Sequence, residues 1–220
     1  VFGVAGKKTI LSKPSFPLHW IYALTNNSDI IYINYNEDFE FDTETLLNSI
    51  NKDVSCICLA NPISPIGNIL SVEMIEQILQ KADLFDIPVM IDEAYIEFSE
   101  EPSSAELLSK YNNLVVSKTF SKALGGAGIR VGYLFANDEI IEILDKVRVS
   151  YELSAISTKF ATYLLDNMDV VNSYINDIKN ERATVLDIFK NKNLKFLNTH
   201  TNTIHFCIDD NETKVLNYIK

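Results

Sequence analysis

Ser117-Lys118-Thr119-Phe120-Ser121-Lys122-Ala123-Leu124-Gly125-Gly126-Ala127-Gly128-Ile129-Arg130-Val131-Gly132-Tyr133 is the most informative stretch of this chain. It leaves one short apolar run, Leu114 to Ser117, and enters another, Val131 to Ala136. A segment joining two buried strands lies at the carboxyl edge of a sheet, where open α/β folds bind their ligands. Hydroxyls at Thr119 and Ser121, an amine at Lys122, a glycine-rich turn and the Arg130 guanidinium could together hold a phosphate and present a nucleophile. The same residues also fit a plain loop, with glycines that permit a tight turn and solvated basic side chains.

Working outward, further runs rich in β-branched residues occur at Ile30 to Ile33, Ser55 to Ala60 and Pro88 to Ile91. Most are continuous rather than alternating, as strands covered on both faces should be. Helical patterns separate them, at Pro17 to Leu24, Thr43 to Ile50, Val72 to Phe85 and Ser104 to Tyr111. Alternating strands and helices predict an α/β domain around a mostly parallel sheet flanked by helices. From Asp138 the texture turns helical, with Ala155 to Asn167 and Val170 to Lys190 as further helices. Residues 1–137 are therefore read as a large domain, 138–190 as a helical connector and 191–220 as the start of a small α+β domain, opened by a strand at Thr203 to Ile208. Val1 is not a methionine, and Lys220 falls inside an amphipathic pattern, Glu212 to Ile219, so a fragment lacking both termini is expected.

Composition narrows the function. A net charge of -11 argues against nucleic-acid binding, which needs a basic stripe to neutralise phosphates. No stretch approaches the ~20 apolar residues of a membrane span, and the first residues lack the order of a signal peptide. Cys56, Cys58 and Cys207 are odd in number and suggest no disulfide framework, so a reducing cytoplasm is the default and the cysteines are expected to pack as small hydrophobes. His19, His200 and His205 have no metal-ligand spacing and are read as structural.

Two more segments carry chemistry. Pro88-Val89-Met90-Ile91-Asp92-Glu93-Ala94-Tyr95 places an acid at the end of a buried strand, where Asp92 needs a cationic partner or a cap. Asn61-Pro62-Ile63-Ser64-Pro65-Ile66-Gly67 is a rigid turn after another buried strand.

Together, the three segments resemble the class I/II aminotransferases, a family of fold-type I pyridoxal-phosphate (PLP) enzymes, and within it the histidinol-phosphate aminotransferase branch. The likeness runs from Pro14-Ser15-Phe16 to the region of His205. It implies that Lys122 holds the cofactor as a Schiff base and shuttles the substrate proton, and that Arg130, Thr119 and Ser121 bind the cofactor phosphate. Asp92 matches the aspartate that keeps the pyridine nitrogen protonated, so the ring can draw in electrons. Tyr95 matches the tyrosine on the phenolic oxygen, and Phe16 falls where an aromatic ring stacks on the pyridine, whereas Trp20 and Tyr22 are read as core. Lys118 is a rival amine outside the family pattern. Asn61 keeps the first asparagine of the family turn, but Ser64 stands where the family has the second, which contacts the phenolic oxygen. A hydroxyl can still donate there, directly or through a water.

The resemblance implies amino transfer between an amino acid or amino-alcohol phosphate and a 2-oxo acid, 2-oxoglutarate, in a cytoplasmic homodimer. In the family, a phosphate-binding turn and a tyrosine from the partner subunit lie upstream of the matched region, and a carboxylate-binding arginine lies downstream. A PLP decarboxylase of a phosphorylated amino acid would use the same cofactor residues. A noncatalytic phosphate-binding α/β module is the third reading, although neither Gly-x-x-x-x-Gly-Lys-Ser/Thr nor Gly-x-Gly-x-x-Gly occurs.

Overall fold

The structure is a computed structural model that describes residues 2–37 and 39–207. Six strands form one sheet in the order β2-β1-β3-β4-β5-β6. They are β1 (Lys8–Lys13), β2 (Asp29–Asn34), β3 (Val54–Ala60), β4 (Val89–Asp92), β5 (Leu114–Thr119) and β6 (Gly132–Phe135). The first five are parallel and β6 runs antiparallel to β5. The central strand β3 is the most apolar, with only Ser55 incompletely buried, as expected where helices or loops cover both faces.

Helices α1 (Pro17–Thr25), α2 (Thr43–Ser49) and α3 (Val72–Asp83) connect the strands, and α4 (Asp138–Asp145), α5 (Ala155–Asp166) and α6 (Met168–Asn191) follow the sheet. The starts of α2, α3, α4 and α5 are written in capping residues, whose side chains satisfy amide groups left without helical partners. Asp42 accepts from Thr45 N at 2.9 Å, Asn137 from Ile140 N at 2.8 Å and Ser154 from Ser157 N at 3.0 Å. α3 buries Ile75, Ile78, Leu79 and Ala82, one helical face, in the main core with Ile10, Ile57, Leu59 and Val89. A second cluster underlies the Ser117–Tyr133 segment: Phe120, Ala123, Leu124 and Val131 pack with Ala161 of α5 and Val171 and Ile175 of α6. Among the described residues, no helix is long and apolar enough to cross a membrane.

Four expectations change. β1 was not anticipated, because Lys8 and Lys13 bracket a short run whose only buried members are Thr9 to Ser12. Ser104 to Tyr111 is not an α-helix but opens as a short 3-10 turn, Ser104–Leu107, pinned by the Glu93 carboxylate, which accepts from Ser103 Oγ and Ser104 N. Trp20 and Tyr22 are not core: α1 buries only Ala23 and turns those rings outward, leaving Tyr22 61% exposed. The strand expected at Thr203 to Ile208 is reduced to one antiparallel bridge between Phe206 and Phe196, and Ile208 and the Glu212 to Ile219 pattern lie outside the described residues.

Candidate active site

The loops leaving the carboxyl ends of parallel strands converge on one side of the sheet. β1 delivers Phe16, β3 delivers Ser64, β4 ends on Asp92, and β5 ends on Thr119 just before Ser121 and Lys122. A cavity of about 330 Å³ is bounded by Phe16, Leu18, Ala60, Ser64, Asp92, Ala94, Tyr95, Thr119, Ser121, Lys122 and Arg130. Four sequence-distant segments thus bring Lys122, Asp92, Tyr95, Arg130, Thr119, Ser121, Ser64 and Phe16 around one space.

Asn61 is not part of that wall. Its amide is spent on the backbone of Leu70, donating to the carbonyl at 3.2 Å and accepting from the amide at 2.7 Å, and it is almost fully buried. It shapes the base of the turn that carries Ser64.

Lys122 projects its Nζ over the Tyr95 ring, 5.1 Å from the centroid, a cation–π contact that holds the amine against the phenol. The turn after it needs glycine: Gly125 has φ +69°, and Gly126 donates to Phe120 O at 2.7 Å so closely that a side chain would crowd that carbonyl. Thr119 Oγ1 accepts from Ser121 N at 3.1 Å, holding the Thr119 side chain against the backbone at Ser121. Arg130 sits in the left-handed region at φ 56°, ψ 39°, costing on the order of 1 kcal/mol for a residue with a Cβ. Nη1 donates to Ala127 O at 3.0 Å, bracing the side chain across the turn.

Asp92 is better supported than the sequence suggested. Oδ1 accepts from Ala94 N at 3.2 Å and Oδ2 accepts from His19 Nε2 at 3.1 Å. Because a carboxylate only accepts, Nε2 carries a hydrogen, and Nδ1 meets Ser15 Oγ at 3.0 Å. Ser15, His19 and Asp92 therefore form a short relay, with Phe16 edge-on to the imidazole at 5.7 Å between centroids. His19, read as structural, thus lies beside Asp92: it sits in the first turn of α1, which the β1 loop aims at the end of β4. The proline of Pro17 starts that helix and so sets the position of His19.

Lys118 is not a competing amine. Its Nζ is 3.3 Å from Glu93 Oε2 and 3.1 Å from Glu97 Oε1, on the wall of a different cavity. Burial would lower its pKa, but Glu97 and Glu93 outweigh that and hold it above the usual lysine value, so it stays charged. Cys56 and Cys58 are unbridged and buried; burial pushes the Cys56 thiol up to about 12 and that of Cys58 well above its ordinary value. Both remain neutral thiols that pack as small apolar groups.

This donor set fits PLP group by group. The amine of Lys122 would be available to its carbonyl, the Arg130 guanidinium and the Thr119 and Ser121 hydroxyls to its phosphate, the Asp92 carboxylate to its ring nitrogen, the Tyr95 phenol and Ser64 hydroxyl to its phenolic oxygen, and the Phe16 ring to its aromatic face. A mostly parallel sheet with such a site at its carboxyl edge defines the fold-type I class of PLP-dependent enzymes. Residues 2–217 match the family aminotransferase class I and II, and the chain belongs to that family. It is 39% identical over 179 residues to the histidinol-phosphate aminotransferase of Christiangramia forsetii, covering 81% of this chain and 50% of that protein. The corresponding protein of Carboxydothermus hydrogenoformans, named histidinol-phosphate aminotransferase 1, is 32% identical over 204 residues, with coverage of 92% and 57%. Among solved structures, histidinol-phosphate aminotransferase from Sinorhizobium meliloti, in complex with pyridoxal-5'-phosphate, superposes with a TM-score of 0.85 at 25% identity, covering 96% of this chain and 57% of its own. The chain spans about half the length of the curated relatives it matches.

Proposed function

We propose that this chain is the cofactor-binding core of a PLP-dependent aminotransferase whose amino donor resembles histidinol phosphate. The observation that carries the reading is the convergence of Lys122, Asp92, Tyr95 and Arg130, from the end of β4 and the segments that follow β4 and β5, on one cavity. When bound, PLP supplies a carbonyl that captures amines and a ring that withdraws electrons from the substrate α-carbon. Lys122 Nζ takes and returns the proton at that carbon, and the Tyr95 ring beneath it restricts where the amine can reach. Asp92 holds a proton on the ring nitrogen, while His19 and the Ala94 amide fix both carboxylate oxygens so that little reorganisation is needed. Arg130, Thr119 and Ser121 grip the phosphate, and Phe16 and Leu18 give one wall an apolar surface.

The curated relatives from Christiangramia forsetii and Carboxydothermus hydrogenoformans carry the aminotransferase name, which favours amino transfer over decarboxylation. The family resemblance alone supports 2-oxoglutarate as acceptor and a homodimer, whereas the cysteine usage supports a cytoplasmic setting and the turn to helical texture at Asp138 supports the division into residues 1–137, 138–190 and 191–220. Borohydride treatment of the whole protein loaded with PLP, followed by peptide mapping, should place the adduct on Lys122; an adduct on Lys118 would refute the assignment. Product analysis with and without 2-oxoglutarate then separates the two chemistries, since a decarboxylase needs no acceptor.

A further inference from the structure

The turn that carries Ser64 into the cavity is closed within itself by Gly67 N donating to Ile63 O at 2.6 Å and Ile63 N donating to Asn68 O at 2.7 Å. Its outer side is covered by residues more than a hundred positions later. His200 N donates to Gly67 O at 2.8 Å, and His205 Nε2 donates to Pro65 O at 2.5 Å. Thr199 presses on Gly67 so tightly that a Cβ there would fall 2.1 Å from Thr199 Oγ1, and Gly67 itself has φ +97°.

The covering strap is stiff. Thr199 and Thr201 are buried, and their hydroxyls continue to Thr203 through contacts of 2.9 and 2.8 Å. Arg182 of α6 donates to Thr201 O at 2.7 Å and to Phe98 O at 3.0 Å, tying the strap to the 3-10 turn that follows Tyr95. A chain of direct contacts therefore leads from α6 through the strap to Pro65, next to Ser64 in its turn, and to Gly67, three residues beyond it. Nothing in the strap lines the cavity.

We propose that the strap from Thr199 to His205 is a positioning device for Ser64, and that His205 is a positioning residue acting through the Pro65 carbonyl. The proposal rests on the reading of the cavity as a PLP site. Serine reaches less far than the asparagine that the family turn carries at this position, so its hydroxyl tolerates less error in backbone placement. A hydrogen bond from a side chain 140 residues away pins the carbonyl next in the chain.

The test is a double-mutant cycle in the whole protein, read as the PLP dissociation constant by absorbance titration, with thermal melting to check folding. His205→Ala is expected to weaken PLP binding by about three- to tenfold, the span of one neutral hydrogen bond. His205→Gln, which keeps an N–H donor, should recover most of that loss. In a Ser64→Ala background, His205→Ala should change the constant by less than about twofold, because its effect passes through Ser64. Equal weakening by His205→Ala in both backgrounds, or none in the wild type, overturns the strap proposal while leaving the site reading intact. Failure of the wild type to take up PLP, or uptake indifferent to Lys122→Ala, overturns the site reading and the strap proposal with it.

Discussion

At the scale of single residues, the site is a set of charges whose orientation is fixed by partners remote in sequence. Asp92→Asn preserves shape but removes the charge that would hold a proton on the ring nitrogen. We expect turnover to fall by at least about 100-fold, with PLP still fixed to Lys122 by borohydride; near-normal turnover would remove Asp92 from the mechanism. His19→Ala deletes one of the two bonds orienting that carboxylate. A bond to a charged group is worth about 1.5–3 kcal/mol, so a loss of roughly 10- to 100-fold is expected. Asp92 was legible because an acid closing an apolar strand needs a partner. His19 was not, since 73 residues separate the pair and only the fold makes them neighbours. His200 gives a pH prediction. Burial first, and then nearby Arg182, lower its pKa below the ordinary 6.5. The unfolded chain therefore binds the proton more readily, and stability must fall as pH drops through about 6.5 toward the lower folded value. Melting temperatures from neutral to mildly acidic pH should decline more steeply in the wild type than in His200→Gln; parallel curves would exclude this contribution.

At the scale of elements, the strand ends must keep a fixed spacing for the site to exist, and a buried ion pair crosses between two of them. Glu93, fully buried just after β4, accepts from Ser103 and Ser104 and faces Lys118 on β5, four residues before Lys122. Removing one partner of such a pair strands a buried charge, which costs about 3–5 kcal/mol. Lys118→Met should therefore lower the urea unfolding free energy by about that amount, and Glu93→Gln added to it should cost far less than the two single losses combined. Additive losses would show that the pair does not act as a unit. The raised Lys118 pKa has a matching sign: its contribution is fully present below the unfolded lysine value and is lost only as pH rises through the higher folded one. From sequence, this lysine looked like a second candidate amine, because strand register, which sets the side of β5 it occupies, is not written in local spacing. Most element types could be read from periodicity and caps. β1 escaped because its apolar centre is so short, and the Ser104 turn escaped because its conformation is dictated by Glu93, eleven residues earlier.

At the scale of the whole molecule, one sheet edge concentrates polar function while other faces stay apolar and open. All four residues of β6 are exposed, including Tyr133, Leu134 and Phe135, and α5 exposes Ile156, Phe160, Tyr163 and Leu165. Val149 and Tyr151, between α4 and α5, are also exposed, the latter completely. The sequence pattern could mark these residues as apolar but not as uncovered, because burial depends on what the fold brings against them. Apolar surface on this scale promotes association, and the net charge of -11 opposes it by mutual repulsion between copies. Salt decides between the two, since the Debye length shrinks from about 10 Å at 0.1 M to about 3 Å at 1 M and removes the repulsion while leaving the hydrophobic attraction. The 220-residue chain by itself is therefore expected to bind a hydrophobic dye such as ANS. Its elution on size exclusion should shift to species larger than 24.9 kDa as salt rises. Placing charges in the α5 face with Ile156→Lys and Tyr163→Lys should weaken both signals, because each lysine would then have to be desolvated on contact. A monomer at every salt concentration with no dye binding would mean that the charge alone governs how these copies meet.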